Sequence, residues 1–116
     1  MEKILVVNND FDTMELLKSW LERKKYKVKY TGNGDDVTQI VKDFNPDVII
    51  VDVLQEKVAK NLKATEKTKN IPIILMTGYT ILNRDFSMDN ADDIIEKPFD
   101  PQILERKIKN VLKKAA

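Results

Sequence analysis

Two short apolar runs restrict this fold more than any other feature of the chain. Ile4-Leu5-Val6-Val7 leads into Asn8-Asn9-Asp10, and Val48-Ile49-Ile50-Val51 leads into Asp52. Neither run alternates with polar residues, so both read as strands covered on both faces, the habit of parallel sheets. Each ends abruptly in side chains able to bind a cation or accept a group. In open α/β sheets, sites are built at the carboxyl ends of the strands. Asn8, Asn9, Asp10 and Asp52 are therefore expected along one sheet edge.

The rest of the chain supplies the remaining parts of such a sheet. A first strand over Lys3–Val7 is followed by a helix reaching about Lys24. That helix carries Met14, Leu17 and Leu21 at helical spacing, with Asp12 and Glu15 placed as a capping box. Tyr26, Val28 and Tyr30 alternate with lysines, which predicts an edge strand with one wet face over Tyr26–Thr31. Gly32-Asn33-Gly34 reads as a turn, and Asp35 or Asp36 as the cap of a helix on Val37, Ile40, Val41 and Phe44, stopped by Asn45-Pro46. A third, weaker helix is expected from about Glu56 to Lys67, and a fourth strand over Ile73–Met76. The stretch to Asn90 is poorly patterned, with room for a short helix on Ile81, Leu82 and Phe86. A short fifth strand, Asp93–Ile95, precedes a last helix opened by Asp100-Pro101 and striped by Leu104, Ile108, Val111 and Leu112. Five βα units with right-handed crossovers imply an α/β three-layer αβα sandwich on a five-stranded parallel sheet, with strand order 2-1-3-4-5. A chain of 116 residues is read as one domain, 1–116, with no repeats or linkers.

Composition removes whole classes of chemistry. There is no cysteine and no histidine, so thiol nucleophiles, imidazole bases, the usual hydrolase triads and most zinc or iron sites are excluded. Phosphohistidine is excluded with them. Lysine and arginine number 20 against 19 acidic residues, a balance that gives no electrostatic reason to bind nucleic acid or a membrane surface. No apolar stretch approaches the roughly 20 residues of a membrane span. Residues Met1-Glu2-Lys3 run straight into a strand without the plan of a secretion signal, so the expected location is cytoplasmic.

The sheet order gathers a coherent chemical set. Asp52 ends the third strand, Thr77 follows the fourth and Lys97 the fifth, beside Asn8, Asn9 and Asp10 from the first. A carboxylate can act as nucleophile toward phosphorus and form an acyl phosphate. An ammonium and a hydroxyl can hold phosphoryl oxygens.

Four blocks carry a family resemblance: Ile4–Asp10, Pro46–Asp52, Asn70–Thr77 and Ala91–Phe99. In content, order and approximate spacing they resemble the receiver domain of two-component response regulators, over essentially the whole chain. The resemblance implies that Asp52 is the phosphoacceptor and that Thr77 and Lys97 contact the phosphoryl group. It places Pro98 at the family's cis-proline. It also implies phosphoryl transfer from a histidine kinase or phosphotransfer protein, dependence on magnesium, and a downstream protein partner docked through the fourth helix, fifth strand and fifth helix. A signalling domain and not an enzyme is expected, with no nucleic acid and no membrane as partner.

Three departures qualify that pattern. Asn8 and Asn9 stand where the family has an acidic pair that binds magnesium. The remaining pocket of Asn8, Asn9, Asp10 and the Leu54 carbonyl offers mostly neutral oxygens. A hard cation prefers charged donors, so magnesium, if held at Asp52 and Asp10, should be held weakly. The loop Val53-Leu54-Gln55-Glu56-Lys57 lacks the usual Pro and Gly, and the chain from Asp52 to Pro72 is shorter than usual. Ile94 replaces the aromatic residue that commonly switches rotamer with the threonine.

Plainer readings stand beside these. Asn8 and Asn9 could cap the first helix, Lys97 could neutralise Asp52 in a structural ion pair, and Pro98 could be a turn device. Asp10-Phe11-Asp12-Thr13 is a poor match to the Asp-x-Asp of haloacid-dehalogenase-type phosphatases, and the amide-rich first loop does not suit a flavin phosphate. Two functions remain: a phospho-switch, or a degenerate receiver that docks a partner without phosphate or metal.

Overall fold

The computed structural model describes residues 2–32, 34–52, 55–78, 91–97 and 100–115. Five parallel strands, β1 (Lys3–Val7), β2 (Lys27–Thr31), β3 (Val48–Asp52), β4 (Ile73–Gly78) and β5 (Asp93–Lys97), pair in the order β2-β1-β3-β4-β5. The expected order is the observed one. Helices α1 (Phe11–Arg23) and α4 (Pro101–Ala115) cover one face, while α2 (Val37–Phe44) and α3 (Glu56–Ala64) cover the other. The expected short helix between Thr77 and Asn90 lies mostly outside the described residues, so the last helix is labelled α4.

Strand alternation divides the core. Ile4, Val6, Val48, Ile50, Ile74 and Met76 pack against α1 and α4, and Leu5, Val7, Ile49, Val51, Ile73 and Leu75 against α2 and α3. Both faces of the central strands are thus fully buried, which is why β1, β3 and β4 carry unbroken apolar runs. On the outer strand β2, Lys27 and Lys29 stay exposed between buried Val28 and half-buried Tyr30. That is the pattern of a sheet edge protected by charge.

Several local expectations are corrected. The cap of α1 is Asp10 and not Asp12: Asp10 has extended backbone, and its carboxylate accepts from the Thr13 N–H and hydroxyl. The cause lies two residues earlier. The Asn8 side-chain oxygen accepts from the Asp10 N–H at 2.7 Å, an Asx-type bond that turns the chain at once and starts the helix early. Glu15, the other half of the expected capping box, instead accepts from the Tyr30 hydroxyl at 2.8 Å.

Helix α3 ends at Ala64, three residues before the expected Lys67. Threonine hydroxyls explain the early stop. Thr65 donates to the Asn61 carbonyl at 2.8 Å and buried Thr68 to the Leu62 carbonyl at 2.6 Å, capping acceptors the next helical turn would have used. After α2, Asn45 takes the left-handed conformation with φ of 53°, a position asparagine tolerates. Strands β4 and β5 each run two residues beyond their expected ends, to Gly78 and Lys97.

Candidate functional site

Strand register decides which side chains meet at the carboxyl edge. Val7 pairs with Val51, Asp52 with Met76, Thr77 with Glu96 and Gly78 with Lys97. Asn8 therefore lies alongside Asp52, and Thr77 is one residue past the partner of Asp52. By two-residue alternation, Asn8, Asp52 and Lys97 continue the rows of Val6, Ile50 and Ile95 on the α1/α4 face. Thr77 continues the Leu75 row toward α2 and α3.

Asp52 and Lys97 are joined directly: Lys97 Nζ donates to Asp52 Oδ2 at 2.8 Å. The Asp52 side chain is 8% exposed and that of Lys97 30%, so the pair sits at a shallow mouth and not in a sealed interior. Asn8 and Thr77, at the ends of the flanking strands β1 and β4, are buried as well. Of the four buried polar or charged residues among those described, three are Asn8, Asp52 and Thr77, at the ends of β1, β3 and β4. The fourth, Thr68, spends its hydroxyl on the end of α3.

What separates this edge from the rest of the molecule is unmet hydrogen-bonding capacity. Among the described residues, the buried side-chain atoms without a partner are Asn8 Nδ2, Gln55 Oε1 and Thr77 Oγ1. All three belong to residues at or just beyond the carboxyl ends of strands. A buried polar atom left unpaired costs about 1–3 kcal/mol, so a cluster of them marks a place adapted to something other than stability. The orientation of Asn8 is fixed chemically: its Oδ1 must face the Asp10 N–H, which leaves the NH₂ group as the orphan.

The other expected positions fall out unevenly. Asn9 and Asp10 are exposed, and Asp10 is turned to the cap of α1. Its carboxyl is held below the ordinary carboxylate range, first by the Thr13 hydroxyl, then by the Thr13 N–H, with a weaker contribution from the Lys97 charge. Ile94 is half-buried against the α2/α3 side of the core. Leu54 and Pro98 lie outside the described residues. Two contributors escaped sequence reasoning. Gly32 lies against Asn8 and Asn9, where a Cβ would make only ordinary contact, 3.4 Å from the Asn8 carbonyl oxygen. Gln55 donates to the Gly32 carbonyl at 3.4 Å, tying the loop after β2 to the start of α3. The Gly32-Asn33-Gly34 turn was a signal for the first; nothing in the pattern pointed to Gln55.

The response regulator receiver domain family model matches residues 4–109. The chain belongs to that family. This receiver is 31% identical over 121 residues to the transcriptional regulatory protein CpxR of Escherichia coli K12, and 29% over 120 to the CpxR homolog of Haemophilus influenzae. The matches cover 99% and 100% of this chain but 51% and 52% of those proteins, so the receiver spans about half the length of the curated relatives it matches. Among solved structures it is similar to response regulator TrrA of Thermotoga maritima in complex with Mg²⁺–BeF (30% identity, TM-score 0.84, covering 96% of this chain and 99% of that one). It is also similar to the receiver domain of a signal transduction histidine kinase from Syntrophus aciditrophicus (28%, TM-score 0.83, 98% and 92%). These relatives are signalling modules, and the receiver is not an enzyme. No helix among the described residues is long and apolar enough to cross a membrane.

Magnesium, which accompanies the TrrA receiver, is a poor match to the donors of this one. The ion requires oxygen acceptors in near-octahedral array and sheds its waters reluctantly. Here Asn8 Oδ1 is engaged by the Asp10 N–H, the Asp10 carboxylate by Thr13, and Asp52 Oδ2 by Lys97. Among the described residues no group of three or more acidic side chains could hold a metal ion. Asn8 turns a donor, and not an acceptor, into the buried space. Among the described residues, the donors do not fit a resident divalent cation.

Proposed function

We propose that this receiver is a phosphorylation-driven switch, a single unit over 1–116, in which Asp52 is the phosphoacceptor and Lys97 and Thr77 hold the phosphoryl oxygens. Receiver domains work with histidine kinases, and a phosphohistidine on a kinase or phosphotransfer protein is the natural donor. An Asp52 carboxylate oxygen attacks phosphorus, and the P–N bond breaks as the new P–O bond forms. The imidazole leaves with the bonding electron pair. The Lys97 ammonium, 2.8 Å from Asp52, can move onto a phosphoryl oxygen at little cost because it is partly solvated. The buried Thr77 hydroxyl can donate to another. The observation that supports this reading most is that ion pair standing beside unpartnered buried polar atoms.

The output is read as a protein partner docked through β5, the last helix α4 and the fourth helix expected from the sequence, which lies mostly outside the described residues. The exposed Ile103 of α4 lies on that helix. With Ile94 in place of an aromatic residue, the switch would rest on Thr77 and Lys97. The setting is read as cytoplasmic, with neither nucleic acid nor lipid contacted by this part of the protein.

A second reading draws on the same ion pair. If Lys97 serves only to neutralise Asp52, the module docks its partner without phosphate. Incubation with acetyl phosphate, followed by intact-mass analysis, decides between them. Addition of one phosphoryl group, lost in Asp52→Asn, is expected of the switch; no addition under any metal condition leaves the docking module.

A further inference from the structure

We infer that this receiver takes its phosphoryl group through its own hydrogen-bond donors, with no divalent cation in the site. The inference rests on the phospho-switch reading above and concerns how that same pocket stabilises charge. A metal-dependent pocket needs surplus negative charge and inward-facing oxygens. This one has the opposite character. Asp52 and Lys97 cancel, and the three oxygens nearest the role of ligand are each occupied by an N–H or O–H of the protein.

The Asn8 amide is the deciding group. Its oxygen is pinned by the Asp10 N–H at 2.7 Å, and its NH₂ is buried without a partner among the described residues, in the row beside Asp52. The partial positive charge of that NH₂ repels a cation and attracts an oxyanion. An aspartate at the same position would present a second oxygen there. Two donors thus share the Asp52 side of the sheet end, the Asn8 amide in the neighbouring row of β1 and the Lys97 ammonium bonded to Asp52, and the Thr77 hydroxyl stands at the end of the adjacent strand β4. The ammonium supplies the full positive charge, and the neutral donors add hydrogen bonds to an anion, which are stronger than neutral ones. The attacking and leaving groups are unchanged by this substitution of donors for metal.

Two measurements on the intact chain test the inference. Phosphoryl gain from acetyl phosphate should proceed in EDTA within about twofold of its rate with Mg²⁺. Mg²⁺ alone, titrated to millimolar levels, should leave the amide resonances of Asn8, Asp10 and Asp52 in place. A gain that needs Mg²⁺, or saturable shifts at submillimolar Mg²⁺, overturns the inference and leaves the phospho-switch standing. No gain in either buffer overturns the phospho-switch, and the inference goes with it. Asn8→Asp keeps the acceptor for the Asp10 N–H while replacing the donor. It should lower the rate in EDTA by about tenfold, the worth of one charge-assisted bond, and make the rate recoverable with Mg²⁺. An unchanged rate in EDTA removes Asn8 from the pocket. The comparison of buffers uses the unaltered protein, so a poorly folded variant cannot obscure it.

Discussion

The two edges of the sheet handle polar groups in opposite ways. At the amino edge several polar side chains near the strand starts are matched to neighbours. Lys63 donates to the Lys69 and Ile71 carbonyls and to Asp92 at 2.7 Å, and Asp92 also accepts from the Ile73 N–H. Asp47 accepts from the Lys3 N–H. At the carboxyl edge, Asn8 Nδ2, Gln55 Oε1 and Thr77 Oγ1 are buried without partners among the described residues. The strands between are equally apolar, so the difference does not come from the core. It teaches that polarity at one edge serves the fold, while at the other part of it is left unmatched by the fold.

That contrast can be broken by substitution. Asp92→Ala should be the most damaging change, since it strips Lys63 of its carboxylate and leaves the buried Ile73 N–H without its acceptor. A loss of about 2 kcal/mol is expected in urea unfolding; a loss below ~0.5 kcal/mol would mean the amino edge is no better matched than the other. Thr77→Val should act in the reverse direction. It removes an unpaired buried hydroxyl while keeping the shape, so unfolding should become harder by about 1 kcal/mol. The same variant should accept a phosphoryl group more slowly. A destabilised Thr77→Val would show that the hydroxyl already has a structural use.

The smallest expected effect sharpens the boundary between capping and site. Asp10 titrates below the usual carboxylate range, chiefly because of the Thr13 hydroxyl. A group with a depressed folded pKa contributes stability that is present above its unfolded pKa and is lost as the pH falls through the folded value. In Thr13→Val the Asp10 titration, followed by carboxyl NMR, should move up toward the ordinary value, and the acid-side loss of stability should shrink. An unmoved titration would take the depression away from the hydroxyl and leave it to the Thr13 and Asp12 N–H groups and the Lys97 charge.

Much of this was legible in the residues. The unbroken runs Ile4–Val7 and Val48–Val51 demanded doubly covered parallel strands, and lysine alternation in Lys27–Thr31 identified the outer strand, because burial and exposure act on each residue where it stands. The convergence of Asp52 with Lys97 followed from strand order alone. The start of α1 was misjudged because Asp12 and Glu15 satisfy the capping pattern locally, whereas the Asn8–Asp10 bond is made by a turn that only the end of β1 imposes. The stop of α3 was missed because Thr65 and Thr68 give no helical signal until their hydroxyls reach the last carbonyls. Gln55 offered no signal, since its partner, the Gly32 carbonyl, is 23 residues away.

The amino-acid order by itself settled the layers and the order of the strands, because side-chain periodicity and apolar runs leave few packings open, and four matched blocks carried the family resemblance. Only the folded chain decided which atoms at the rim are engaged and which are left over. An asparagine carries both a donor and an acceptor, and nothing in its letter says which one faces inward. The Asp10 N–H made that choice for Asn8, engaging its oxygen and leaving its NH₂ group over.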